Sequence, residues 1–332
     1  MNISGKSILL TGGTGSFGKS FVKYLISKYK NIKRLIIFSR DELKQYEMQK
    51  DFSDKKYKFL RYFIGDVRDY ERLLLAMRDV DIVVHAAALK QVTTAEYNPF
   101  EVIKTNILGT QNIVQASLKT NINKAILLST DKASSPANLY GASKLCADKL
   151  FISANNMAGK QNINFSVIRY GNVMGSRGSV IPSFLEQSNQ NKFFVTHKNM
   201  TRFNITLKKS VELVEYVIKN AVGGEIFIPK IPSYKILDLT KAINPKAKIF
   251  YTGIREGEKV HEDLISINDN NHTYDAGKNY IICPFNKKLK NKIIKKFNAR
   301  IVKKNFFYNS GTNTDFLNPK DLKLLIKNMD KV

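Results

Sequence analysis

A five-residue strand pattern, Ser7–Thr11, runs directly into Gly12-Gly13-Thr14-Gly15-Ser16-Phe17-Gly18, and a helical pattern over 17–28 follows at once. Glycines at 12, 15 and 18 let backbone N–H groups close on a diphosphate, which then sits at the positive end of the helix. A glycine turn alone is a weak signal, but between a first strand and a first helix it restricts the chain to an α/β sheet with a dinucleotide at its edge. Thr14, Ser16 and Phe17 are the other expected contacts from this turn.

The rest of the first half agrees. Short apolar runs at 34–38, 59–64, 82–85, 125–129 and 165–170 alternate with helical patterns at 41–51, 72–77, 99–118 and 139–156. Such alternation predicts an α/β fold with a Rossmann-type, doubly wound parallel sheet. Beyond Asn172 the regularity fades and Gly, Pro, Ser and Asn become frequent. Residues 1–171 are therefore expected to form the cofactor-binding domain and 172–332 mainly a smaller, irregular substrate lobe, with a helix returning to the sheet near 207–222.

Net charge over the 332 residues is +26, yet the lysines are spread along the whole chain. A solvated, lysine-rich surface accounts for that better than a nucleic-acid partner. The most basic stretch, 287–304, carries Ile293, Ile294 and Phe297 at helical spacing, as an amphipathic surface helix would. The first residues lack the long apolar stretch of a signal peptide, and no run of about 18 apolar residues predicts a membrane span. Cys146 and Cys283 are far apart, so a reducing, cytoplasmic setting without a disulfide is expected. His85, His197, His261 and His272 have no metal-ligand spacing, and no metal is expected.

The end of the second strand reads Ser39-Arg40-Asp41, with Lys44 one helical turn later. NAD sites place a carboxylate at this point for the ribose 2′-hydroxyl. Ser39, Arg40 and Lys44 suit a 2′-phosphate instead and favour NADP, while Asp41 leaves NAD open. Asp66 and Val67 close the third strand, where Asp66 is placed to meet adenine. Ala86 and Ala87 after the fourth strand are small enough for a cofactor to lie against the backbone.

Tyr140 and Lys144 stand at i and i+4, on one helix face. An ammonium beside a phenol favours the phenolate and makes Tyr140 a general base toward an alcohol. At this distance from the glycine turn, the pair and the turn together resemble the extended short-chain dehydrogenase/reductase family.

Further stretches narrow the resemblance. Ser129-Thr130-Asp131-Lys132-Ala133, Asn138-Leu139-Tyr140-Gly141, Ser39-Arg40-Asp41-Glu42-Leu43-Lys44, Ala95-Glu96-Tyr97-Asn98-Pro99 and Gly171-Asn172-Val173-Met174-Gly175-Ser176-Arg177-Gly178-Ser179 look like the inverting UDP-N-acetylglucosamine 4,6-dehydratases of pseudaminic acid synthesis, a branch that serves flagellin glycosylation. The similarity runs from the N-terminus to at least Glu262. It implies that Tyr140, with Lys144 and Thr130, oxidises the sugar at C4. Lys132 then removes the C5 proton, and Asp131 protonates the departing C6 hydroxyl. As a base, Lys132 needs a lowered pKa, which burial near Lys144 would give.

The resemblance also places Lys90 and Val173 beside the cofactor. Lys90, Thr130, Asn172, Arg177, Gly178, Ser179, Val180 and Ile181 are set around the sugar. Arg202, Arg255 and Glu258 are set at the diphosphate and uridine. It implies a homo-oligomer, with a hexamer as one form.

The chain departs from the pattern at Gln91 and Thr93, at Ser135 and at Glu256, positions that bear on the fine positioning of the sugar. A 4-epimerase, a C5-epimerising dehydratase with another product and a 4-reductase share much of this pattern. A cofactor-sensing regulator or RNA-binding protein would fit the charge, but would need neither the Tyr–Lys pair nor Asp131-Lys132.

Overall fold

In the computed structural model, residues 2–120 and 122–329 are described. Six parallel strands lie in the order β3-β2-β1-β4-β5-β6: β1 Ser7–Thr11, β2 Arg34–Ser39, β3 Leu60–Ile64, β4 Ile82–His85, β5 Lys124–Thr130 and β6 Asn164–Tyr170. Leu9 is paired with Ile36 on one side and Val83 on the other. The inner strands are buried on both faces, which is why they read as continuous rather than alternating apolar runs. Strand order reverses between β1 and β4, and this opens a crevice at the carboxyl ends of the strands.

Side-chain caps start several of the helices. Asp41 accepts from Lys44 N, Asp69 from Arg72 N, and Asn138 from Gly141 N, the last at 2.8 Å. Pro99 opens the expected helix, but residues Ile103–Leu108 form a π-helical turn before the α-helix resumes at Gly109–Lys119. That turn presents Asn106, whose side chain accepts from Leu89 N at 2.8 Å and donates to the Ser143 hydroxyl at 3.0 Å. It thereby ties the loop after β4 to the helix Leu139–Met157.

The second half is more regular than its sequence suggests. Ile226–Pro229 adds a strand parallel to β6, and Asn279–Ile282, Thr273–Asp275 and Arg300–Ile301 continue the same sheet antiparallel, to ten strands. The expected returning helix spans Leu207–Asn220 and packs on Ser16–Lys28, where the nearly buried Glu215 takes Lys28 at 2.7 Å and the hydroxyls of Tyr24 and Tyr29. The basic 287–304 stretch contains the amphipathic helix Lys287–Phe297, with Ile293 fully buried and Phe297 edge-on to Phe227.

A second apolar core around Met174, Ile181, Phe184, Phe193, Tyr234 and Leu322 supports the segments above the sheet's carboxyl edge. Among the described residues, no helix is long and apolar enough to cross a membrane, and no His, Cys, Asp and Glu cluster could hold a metal ion.

Candidate active site

A cleft of about 760 Å³ runs along the carboxyl ends of β1 to β6. At one end the glycine turn is packed against the chain after β4. A Cβ on Gly12, which has φ +66°, would stand 2.9 Å from Ala87 N, and one on Gly18 would stand 2.2 Å from Gly13 O. The Thr11 hydroxyl accepts from Ala86 N and Ala87 N, both at 3.2 Å, and meets His85 Nδ1 at 2.7 Å. His85 Nε2 reaches Thr110 at 3.2 Å. Burial, then the Lys144 charge, pushes this histidine down to about 3, so it is a neutral structural group.

Thr14, Gly15, Ser16, Phe17, Gly18, Val67, Ala86 and Ala87 all line the cleft, a bare-backbone cradle of the kind a dinucleotide diphosphate fits. At the end of β2, Ser39, Arg40 and Lys44 also face it. The Ser39 hydroxyl is 2.9 Å from that of Thr14. Asp41 does not line the cleft; its carboxylate caps the next helix and pairs with Lys44 at 2.5 Å. Asp66 lines the cleft as an ion-paired group, 2.7 Å from Arg68 and 3.8 Å from Arg40. Burial pushes its carboxyl up, but the two guanidinium groups outweigh this and hold it below the usual range.

The chemistry-bearing side chains gather where β5 ends. Thr130 closes that strand and Asp131–Ala133 form a single 3-10 turn. The helix carrying Tyr140 and Lys144 starts hard against this turn, because a Cβ at Gly141 would stand 2.2 Å from the Lys132 carbonyl oxygen. Tyr140 and Lys144 are both buried, and Lys144 Nζ donates to Leu128 O at 2.8 Å. Thr130 favours the ionised form of the nearby Tyr140 phenol, and the Thr130 hydroxyl donates to Asp131 Oδ1 at 2.9 Å. Thr130 thus stands between the phenol and the carboxylate.

Two electrostatic expectations are corrected. Burial pushes the Tyr140 phenol up to about 12, opposed by Lys132 and Thr130 rather than by Lys144. Lys144 is itself pushed down to about 8 by burial, against the pull of Asp148. Lys132 goes the other way from expectation: burial acts to lower it, but the Asp131 and Glu262 carboxylates outweigh that and raise it. Its Nζ lies 3.2 Å from each of them and 3.3 Å from Asn172 Oδ1.

The opposite wall holds the expected substrate contacts. Asn172, Val173, Arg177, Gly178, Ser179, Val180, Arg202, Arg255 and Glu258 all line the cleft. Lys90 spans it, donating to Arg177 O at 2.7 Å, and Arg177 N donates to the Ser16 hydroxyl at 3.3 Å. Arg202 is nearly buried, 3.4 Å from Glu258 and 3.9 Å from Glu262.

Ile181 is a correction. It is 2 % exposed, sits in the second apolar core and is not part of the cleft wall, because Ser179 starts a helix that turns it inward. Glu262 is the acidic side chain that motif reading missed. It is 3 % exposed and faces Lys132 from 130 positions downstream, a distance no local spacing rule bridges.

Strand order, glycine cradle and buried Tyr–Lys pair together define an extended short-chain dehydrogenase/reductase. The chain belongs to the polysaccharide biosynthesis protein family, whose sequence model matches residues 8–284. It is 50% identical over 326 residues to a UDP-N-acetylglucosamine 4,6-dehydratase (inverting) of Campylobacter jejuni subsp. jejuni serotype O:23/36, covering 96% of each chain. It is 43% identical over 336 residues to a UDP-glucose 4-epimerase of Rickettsia bellii, covering 98% and 97% of the two. Its structure is similar to that of Pen from Bacillus thuringiensis, with a TM-score of 0.90 over 100% of both chains at 37% identity.

Proposed function

We propose that this chain is an NADP-dependent, inverting UDP-N-acetylglucosamine 4,6-dehydratase. The observation that carries the reading is the ion pair of Asp131 and Lys132, with Thr130 on Asp131, packed against the helix of Tyr140 and Lys144. A simple epimerase or reductase needs the Tyr–Lys pair alone. Removing water needs a second acid and base next to it: Lys132 lines the cleft, and the fully buried Asp131 lies directly behind it, 3.2 Å from Nζ.

Tyr140 takes the C4 hydroxyl proton, and Thr130 and Lys144 hold the phenol and its surroundings in place. Bound NADP would supply the hydride acceptor and donor, taking hydride from C4 and returning it at C6, and its positive nicotinamide would favour the phenolate. The C4 ketone acidifies C5, where Lys132 moves the proton. Asp131 gives a proton to the departing C6 hydroxyl. Return of a proton to C5 from the opposite face inverts that centre. Arg202 and Arg255 offer guanidinium forks to the diphosphate, with Glu258 at the nucleoside end. Asn172, Arg177 to Val180 and Lys90 hold the sugar.

Ser39 and Arg40 open to the cleft, with Asp41 turned away, support NADP over NAD. The same reading assigns 1–171 with the returning helix to the cofactor and most of 172–332 to the UDP-sugar. It also includes a homo-oligomer, hexameric in one form, a cytoplasmic location and a role supplying pseudaminic acid.

A second reading, a nucleotide-sugar 4-epimerase, is favoured by the Rickettsia relative. Product mass separates the two. Incubation with UDP-N-acetylglucosamine and NADP gives a product lighter by one water under the first reading and an isomer of equal mass under the second.

A further inference from the structure

Glu262 is placed behind the acid–base pair without a role in the scheme above. Its backbone is fixed: Glu262 N donates to the Ser310 hydroxyl at 2.9 Å, and Ser310 N donates to Glu262 O at 2.8 Å. Its Oε1 faces Lys132 Nζ at 3.2 Å. Its Oε2 is buried and has no hydrogen-bond partner among the described residues. Glu262 and Lys132 both line the cleft, but the Glu262 side chain is 3% exposed against 21% for Lys132, so the amine presents the larger open face.

The scheme has an unmet requirement. Lys132 must be a neutral amine to take the C5 proton, yet it rests between two carboxylates, which favour the ammonium. Asp131 must carry a proton if it is to give one to the departing hydroxyl. In that state Glu262 is the carboxylate left at Nζ. Arg202 is the other charge on Glu262, at 3.9 Å, and is itself held by Glu258.

We propose, on the dehydratase reading above, that Glu262 is a positioning residue that takes the ammonium proton from Lys132 and so prepares the amine to receive the C5 proton. The N–H bond breaks as an O–H bond forms on Oε1, the electron pair stays on Nζ, and the net charge of the pair is unchanged. The C5–H bond then breaks, its proton joins Nζ, and its electrons enter the enolate conjugated with C4. Nζ passes the collected proton to Asp131, which has given its own to the departing water, and the Glu262 proton then returns to Nζ. A substrate that fills the cleft expels water and weakens the ion pair relative to its neutral form.

The test uses the full chain with NADP and UDP-N-acetylglucosamine, in Glu262→Gln and Glu262→Asp variants. Near-ultraviolet absorbance of reduced nicotinamide reads the C4 step in a single turnover, and NMR in D₂O reads C5 exchange. Both variants are expected to keep the C4 step and KM within about threefold, while E262Q loses about 100-fold in C5 exchange and kcat, and E262D about tenfold.

C5 exchange in E262Q at or above the wild-type rate overturns the proposal, since that is the result if Glu262 only keeps Lys132 charged. Equal loss of the C4 and C5 steps also overturns it, by assigning Glu262 a purely structural role. Should E262Q not fold, E262D is judged by the same criteria. Absence of nicotinamide reduction in the wild type overturns the dehydratase reading itself, a different outcome from either.

Discussion

Gly141 lies against the Lys132 carbonyl oxygen so closely that a Cβ there would stand 2.2 Å away. The contact sets the distance between the helix that carries Tyr140 and Lys144 and the turn that carries Asp131 and Lys132. Two catalytic pairs remote from each other in chemistry are thereby held in one frame. Gly141→Ala is expected to separate them, because a backbone oxygen cannot swing aside as a flexible side chain can. Overpacking of this kind costs about 1–3 kcal/mol. Displacement of the reacting groups by about 1 Å costs about 100-fold in kcat. Thermal melting and steady-state kinetics check the two effects separately.

Tyr140→Phe removes the phenol and leaves the rest of the cleft wall. UDP-N-acetylglucosamine binding is expected to persist, while nicotinamide reduction and product formation fall together by about 10²–10⁴-fold. Calorimetric titration and single-turnover absorbance check this. Loss of product with nicotinamide reduction intact would place Tyr140 in the later steps instead.

The first six strands are clear in the sequence because each is a short apolar run, most of them cut off by a helix cap or a glycine turn, as at Thr11-Gly12 and Asp69. Most cleft residues of that half were readable for the same reason: they sit just past the end of a strand. Strands after 225 were not readable. Ile226–Pro229 and Asn279–Ile282 lie outside the regular strand–helix alternation and pair with distant partners, so no local period marks them.

Ile181 was misplaced because a motif reading takes a run of neighbours together, whereas a helix starting after Ser179 sends them to different sides. The Lys132 charge was misjudged because its direction depends on Glu262, which reaches the site through tertiary packing alone.

Arg40 is 55% exposed at the side chain and faces the cleft, and Asp41 is engaged in its cap and with Lys44. Arg40→Leu is expected to weaken NADP binding by about 10–100-fold, the value of one or two charge-assisted hydrogen bonds, and NAD binding by less than about twofold. Parallel titrations of the two cofactors decide it. An equal effect on both would remove the 2′-phosphate contact.

His85 gives a pH dependence unrelated to catalysis. Burial, then Lys144, holds its folded pKa at about 3, below the ordinary value of 6.5. The unfolded chain therefore takes up a proton that the folded one refuses as pH falls from 6.5 toward 3. This contribution is fully present above 6.5 and is lost on the acid side. It amounts to at most about 5 kcal/mol. The His85 ring resonances are expected to stay constant between about pH 5 and 7. Unfolding free energy in a His85→Asn variant should fall less steeply with acid than in the wild type. A ring titration near neutrality would show that the imidazole is not buried as described.

The most direct test of the account is NMR of the product formed from UDP-N-acetylglucosamine and catalytic NADP in D₂O. The expected product is a UDP-2-acetamido-2,6-dideoxy-hexos-4-ulose with deuterium at C5, inverted configuration at that carbon and undiluted substrate-derived hydrogen at C6. Unchanged sugar, or a C4 epimer of equal mass, would contradict it. A dehydrated product that retains its C5 configuration would contradict the inversion.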